Sequence, residues 1–407
     1  MDKNSMTSRR DFLKSSMALP FAMALPVSMT VRGLLAADAS TASDTLPKRK
    51  LGKNGPDVTM LSMGGMMAAM SPDYLDIAWS MGIRYFDTAD CYLKGQSEKI
   101  VGQWLAKYPE RRKEIFLVSK DHPHQGPAQM LEMVDKRLAA LGTPYLDAFY
   151  IHGIGPKEYG PGSLDWPKSD EFKKTAEALK SSGKVKMVGF SCHDAHLPEY
   201  LNAAAQGGFV DIIMLAYNPF YPKGGPLDTA LDATHNAGIG LVAMKTMRGT
   251  KDIPARLPEF DKMGITTHQA VLHSVWSDPR ISADCNMIDN VDQMQASTAA
   301  ARSYKGPLKV AHRELLRETI LAGRRTMCTG CPSCEDLAKK TDFAFQDIAR
   351  FVTYYEQDGN REARSYYHAL SSLTRDSSGV DLAELRDNCH FKTDYPQIVR
   401  CAERYFA

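Results

Sequence analysis

Four polar side chains stand at or just beyond the ends of three successive apolar runs, and their types suit proton transfer. Asp87 lies in Arg84-Tyr85-Phe86-Asp87-Thr88-Ala89, and Tyr92 follows three residues after that run. Lys120 ends Phe116-Leu117-Val118-Ser119-Lys120, and His152 ends Ala148-Phe149-Tyr150-Ile151-His152. A phenol with an ordinary pKa of about 10 is a poor acid or base near neutrality, but a neighbouring ammonium lowers that value and a carboxylate can anchor the ammonium. Tyr92, Lys120 and Asp87 supply those three parts. A single Asp or His at a strand end is more often a cap or a surface group; four together in strand context carry far more weight.

Such a set works only if parallel strands bring their C-terminal ends onto one face. Eight strand-like runs alternate with helical segments: Thr59 to Gly65, Arg84 to Ala89, Phe116 to Lys120, Ala148 to Gly153, Met187 to Cys192, Ile212 to Asn218, Gly240 to Lys245 and Ser282 to Ile288. Between them, Ser97 reads as the N-cap of a stretch in which Ile100, Val101, Trp104 and Leu105 share a face, and the segment from Asp170 to Ser182 starts at a capping-type residue, Asp170, and stops at Gly183. Eight strand-helix units over about 250 residues predict a (β/α)8 TIM barrel, an α/β fold. No Gly-x-Gly-x-x-Gly follows the first strand, which argues against a doubly wound dinucleotide fold.

Phe86-Asp87-Thr88-Ala89-Asp90-Cys91-Tyr92, Gly95-Gln96-Ser97-Glu98, Ser119-Lys120, Tyr150-Ile151-His152-Gly153 and Val188-Gly189-Phe190-Ser191 resemble the signature of the aldo-keto reductases, and Arg49-Lys50-Leu51-Gly52 resembles that family's N-terminal hairpin. The resemblance covers roughly residues 47–305, which it marks as a barrel domain. It implies an oxidoreductase interconverting a small-molecule carbonyl and its alcohol with NAD(P)H, in which Asp87, Tyr92, Lys120 and His152 are catalytic and His152 orients the substrate oxygen. It also implies cofactor contacts at Ser191, Cys192, Asn218 and Lys245. Cys192 stands where the family has Asn, Met214 where it has Gln, and Met244 where it has Tyr; Asp292 occupies the position of a phosphate-binding Arg. A second reading is a barrel that has lost hydride chemistry and serves as a binding or electron-transfer module.

The N-terminus carries Ser8-Arg9-Arg10-Asp11-Phe12-Leu13-Lys14, an uncharged stretch from Ser15 to Val31 and Ala37-Asp38-Ala39. This pattern predicts a twin-arginine signal over residues 1–39, export by the twin-arginine machinery and a periplasmic location; an uncleaved anchor is the competing reading. Residues 40–46 read as a short polar linker. Removing Lys3, Arg9, Arg10, Lys14 and Arg32 with Asp2, Asp11 and Asp38 takes 50 basic and 48 acidic residues to 45 of each. A neutral chain without basic blocks gives no electrostatic reason to expect nucleic acid.

Residues 306–407 break the barrel rhythm. A helix from Leu308 to Leu321 leads into Cys328-Thr-Gly-Cys331-Pro-Ser-Cys334, and helical, aromatic-rich segments follow. Three cysteines at this spacing suit a [4Fe-4S] cluster with a distant fourth ligand. The tail resembles a ferredoxin-like extension found on some aldo-keto reductases, with Cys389 the expected fourth ligand and Cys401 the alternative, and such a cluster implies a redox partner. A disulfide pair and a zinc site remain the competing readings. Cys91 and Cys285 are expected to be small buried hydrophobes.

Overall fold

The structure, a computed structural model, describes residues 45–406 apart from 67–69, 222, 248–249, 251–252, 324–327, 329–339 and 390. The expected export signal, residues 40–44 of the linker, Cys331 and Cys334 lie outside the described residues.

A hairpin of β1 (Lys48–Lys50) and β2 (Asp57–Thr59) precedes eight strands: β3 (Leu61–Gly64), β4 (Tyr85–Asp87), β5 (Phe116–Asp121), β6 (Leu146–Ile151), β7 (Val185–Cys192), β8 (Ile212–Ala216), β9 (Gly240–Met244) and β10 (Ile281–Asn286). These eight pair in parallel, in the order β10-β3-β4-β5-β6-β7-β8-β9, and close into the expected barrel. Strands buried on both faces need near-continuous apolar sequence, and all six residues of β6 are buried. Inside the barrel Tyr85, Val118, Ala148, Tyr150, Ile212, Met214, Val242, Ala283 and Cys285 form one cluster, while alternate residues such as Phe86, Leu117, Phe149 and Phe190 pack outward against the helices. The two-residue side-chain period of a strand produces this division. The hairpin closes one end: Leu51 joins the inner cluster, and the Arg49 guanidinium donates to the carbonyls of Trp276, Asp278 and Ile281.

Observed boundaries differ from the expected ones where local chemistry decides. Ser97 is not a helix cap; the helix Gln96–Lys107 follows Gly95 at φ 79°, and the Ser97 hydroxyl lies 2.6 Å from Thr88 Oγ1. The helix Asp170–Ser181 is capped by Ser169, whose side chain accepts from the Phe172 N–H. Leu46 is no linker residue but is buried in the outer cluster, with its N–H donating to Gly82 O at 3.1 Å.

After the barrel come the helices Val310–Gly323, Phe345–Asp358, Ala363–Ala369, Leu382–Asn388 and Tyr395–Phe406. Their apolar faces form a second core with Phe343, Phe345, Val352, Tyr395, Ile398 and Phe406, and this core also takes in Phe220, Phe260, Ile265 and Val271 from the barrel section. The extension is therefore built onto the barrel rather than tethered to it.

Candidate active site

The barrel mouth collects the four residues of the motif. Asp87 is the last residue of β4, Lys120 lies on β5 one residue before its end, and His152 follows β6 directly. Lys120 is level with Tyr150 across the β5–β6 pair, and Asp87 with Val118 across β4–β5. Tyr92 starts a one-turn helix, Tyr92–Gly95, in which Leu93 and Lys94 both take left-handed conformations (φ 51° and 56°). Left-handed backbone costs a residue with a Cβ roughly 1–2 kcal/mol, and here it turns the chain sharply just after the phenol.

Lys120 is 1% exposed yet fully partnered. Its Nζ donates to Asp87 Oδ2 at 2.5 Å, to the Thr88 carbonyl at 3.0 Å and to the Tyr92 hydroxyl at 3.3 Å. Three donors meet three acceptors, which is what a buried ammonium needs. Burial opposes the charge of Lys120, but Asp87 and Tyr92 together hold its pKa above the ordinary lysine value. Burial is also the largest influence on Tyr92 and raises the phenol above its usual range; Lys120 pulls it back, and Asp87 adds to the rise. The effect of Lys120 has the expected sign, but the net shift is upward. The resting Tyr92 is consequently a protonated donor.

His152 packs edge-on to Tyr92, with ring centroids 5.4 Å apart. Its backbone N–H donates to Asp121 O at 2.8 Å and its carbonyl accepts from the Tyr159 hydroxyl at 2.6 Å, so the ring's base is fixed on both sides. Burial, with the charges of Lys120 and His122, lowers its pKa to about 4 against the pull of Asp90, leaving the imidazole neutral at pH 7.

The expected cofactor positions are divided. Ser191 lies on β7 and its hydroxyl accepts from the Gly153 N–H at 2.8 Å. Asn218 is half-buried after β8, with Oδ1 accepting from the Phe220 N–H. Cys192 is fully buried in the outer cluster, away from the inner face. Lys245, at φ 61° after β9, donates to the Tyr354 hydroxyl of the extension at 3.1 Å. Asp292 is exposed in the first turn of the helix Val291–Ser303. Cys328, Cys389 and Cys401 are all buried in the second core. Cys285 is buried as expected, but Cys91 is not: it is exposed, because it sits in the turn beyond β4 rather than in a strand.

Sequence reasoning passed over Asp90 and His122. Both follow strand ends, which was the available signal: the His122 ring lies 4.5 Å from that of His152, and its Nδ1 is 3.2 Å from Asp90 Oδ2.

Fold and site together define a (β/α)8 protein with a buried lysine linked to a phenol at its mouth. The family model for the aldo/keto reductases matches residues 61–298, more than half of the chain, and the protein belongs to that family. It is 32% identical over 159 residues to the uncharacterized oxidoreductase YqkF of Bacillus subtilis, covering 35% of this chain and 48% of the relative. It is 28% identical over 197 residues to the NADP(+) aldo-keto reductase yakc of Schizosaccharomyces pombe, covering 43% and 53%. These matches thus span about half of each relative's length. Among solved structures, the holo form of an aldo-keto reductase from Bacillus halodurans superposes with a TM-score of 0.52 at 22% identity, over 67% of this chain and 96% of the other. An aldo-keto reductase from Klebsiella pneumoniae in complex with NADPH gives 0.52 at 22%, over 66% and 94%. At that identity the likeness speaks for the fold.

Proposed function

We propose that the protein is an exported oxidoreductase that interconverts a small carbonyl compound and its alcohol, with Tyr92 as the proton donor and acceptor. The buried Lys120 ammonium, held to Asp87 at 2.5 Å and reaching the Tyr92 hydroxyl at 3.3 Å, carries this reading. In reduction the Tyr92 hydroxyl gives its proton to the substrate oxygen, and Lys120 offsets the phenolate charge left behind. Asp87 holds Lys120 in place, and neutral His152 positions the oxygen. Alcohol oxidation runs the same proton path backwards.

NAD(P)H is the electron source that the family suggests, yet two of the four expected contacts do not fit the family's way of holding it: Cys192 is turned into the outer layer and Lys245 is engaged by Tyr354. The thiols in the extension suit a [4Fe-4S] cluster, which would be held by Cys328, Cys331, Cys334 and Cys389 and would supply one-electron transfer to a redox partner. The contact between Tyr354 and Lys245 favours a second reading, in which the barrel is an electron-transfer module built around that cluster.

Substitution Tyr92→Phe separates the two. Deleting one phenolic oxygen should lower carbonyl-alcohol turnover by about 100-fold or more while leaving the fold unchanged by circular dichroism. Turnover equal to wild type on any substrate found would remove the catalytic assignment.

A further inference from the structure

We propose that Asp90, Cys91, His122 and His152 form a binding site for one divalent metal ion of the zinc class, at the barrel mouth beside Tyr92. The donors come from three neighbouring strand ends: Asp90 and Cys91 from the turn after β4, His122 from beyond β5, and His152 from beyond β6. One donor atom from each residue lies within 4.8 Å of every other. Individual separations are 3.2 Å for Asp90 Oδ2 to His122 Nδ1, 3.6 Å for Cys91 Sγ to His152 Nδ1, and 3.7 Å for Asp90 Oδ1 to His152 Nδ1. Zinc bonds of about 2.0–2.3 Å to nitrogen, oxygen and sulfur give a tetrahedron with edges of roughly 3.3–3.7 Å. The three separations given lie close to those edges while the set as a whole extends to 4.8 Å, so side-chain rotations that draw the donors together by up to about 1 Å are needed to coordinate an ion.

A second observation points the same way. Asp90 Oδ1 is shielded from solvent and, among the described residues, accepts no hydrogen bond. A carboxylate oxygen in that state is costly unless a positive charge meets it. The same oxygen faces His152 Nδ1, and the other Asp90 oxygen faces His122 Nδ1, so one carboxylate and two imidazoles converge on one spot.

The donor set selects the ion. Two imidazoles, a thiol and one carboxylate suit a borderline ion such as Zn2+, whereas Mg2+ and Ca2+ require oxygen ligands. Exposure of Cys91 provides the entry path. Binding takes Cys91 as its thiolate and releases the thiol proton to solvent; no electron changes hands. It also fixes the His152 ring through Nδ1 and leaves Nε2 as that ring's remaining nitrogen. The inference is independent of the oxidoreductase reading, because binding is measured without any substrate.

The test is titration of the full-length protein with Co2+, followed by visible and near-ultraviolet absorbance, with Zn2+ as competitor. We expect one tetrahedral Co2+ with a thiolate charge-transfer band, displaced by equimolar Zn2+. In Cys91→Ser that band should disappear, and His122→Ala should weaken binding by more than the roughly 10–100-fold that loss of an outer-shell partner costs. The signal should persist in Cys328→Ala. Absence of the bound ion in wild type, an unchanged spectrum in both Cys91→Ser and His122→Ala, or a signal that follows Cys328 instead would each overturn the proposal.

Discussion

At the scale of single residues, the buried charges decide most. Lys120 and Asp87 lie 2.5 Å apart at 1% and 2% side-chain exposure, and removing one partner of such a pair costs about 3–5 kcal/mol. Lys120→Met should therefore lower unfolding stability by about 3 kcal/mol as well as abolish turnover, and adding Asp87→Asn should recover part of the stability; equal urea midpoints for wild type and Lys120→Met would refute this. Asp284 has no cation partner among the described residues, only Thr246 Oγ1 at 3.0 Å and Asn286 Nδ2 at 3.0 Å, and burial pushes its carboxyl up to about 7 against those bonds. The folded chain then keeps a proton that the unfolded chain releases between about pH 4 and 7, so the contribution of Asp284 to stability is greatest below pH 4, declines to pH 7 and is flat above, by roughly 4 kcal/mol in all. Asp284→Asn should remove that slope, and urea unfolding at pH 4.5 and pH 8 compares the two proteins; identical pH dependence would discount the buried acid. Asp87, Tyr92, Lys120 and His152 were legible in the sequence because each has a fixed offset from a strand end within one motif. Asp90, Cys91 and His122 were not, since their association depends on how three loops fold over each other, and no spacing encodes that.

At the scale of elements, the alternation of apolar runs and amphipathic stretches sufficed to find all eight barrel strands, because a strand buried on both faces has a run of sequence that a surface loop does not. The ends were less legible. The apolar run from Arg84 to Ala89 continues past Asp87, where β4 ends, because the chain must leave the sheet there to turn Tyr92 back over Lys120. Helix starts were misplaced by a residue where Ser169, not Asp170, makes the cap. Close strand approach is clearest at Gly189 on β7: a Cβ there would lie 1.7 Å from the Ile212 carbonyl oxygen of β8. Gly189→Ala cannot be absorbed by a side-chain rotation, so it should force β7 from β8 and cost more than the 1–3 kcal/mol typical of overpacking. An unfolding midpoint within error of wild type would show that the two strands separate freely.

At the scale of the whole molecule, the extension and the barrel share one apolar core through Phe220, Phe260, Ile265 and Val271. A chain ending at Lys305 should consequently expose those side chains and aggregate, as light scattering would detect; a soluble, monomeric barrel from that truncation would show that the shared core is dispensable. The departures from the family pattern at Cys192, Met214, Met244 and Asp292 predict weak steady-state carbonyl reduction by added NADPH or NADH, and rapid saturable turnover from protein free of bound cofactor would contradict this. One helix of the extension, Phe345–Asp358, sets three side chains along one face: Asp347 pairs with Lys157, Arg350 contacts His193 at 3.2 Å and Tyr354 accepts from Lys245 at 3.1 Å. Those partners lie after β6, β7 and β9, and all of them precede the helix in the chain. During synthesis the barrel mouth therefore stands open on that side until the C-terminal quarter emerges and docks. Chain order thus acts as a clock: whatever must enter past β7 and β9 has its window before the last helices arrive.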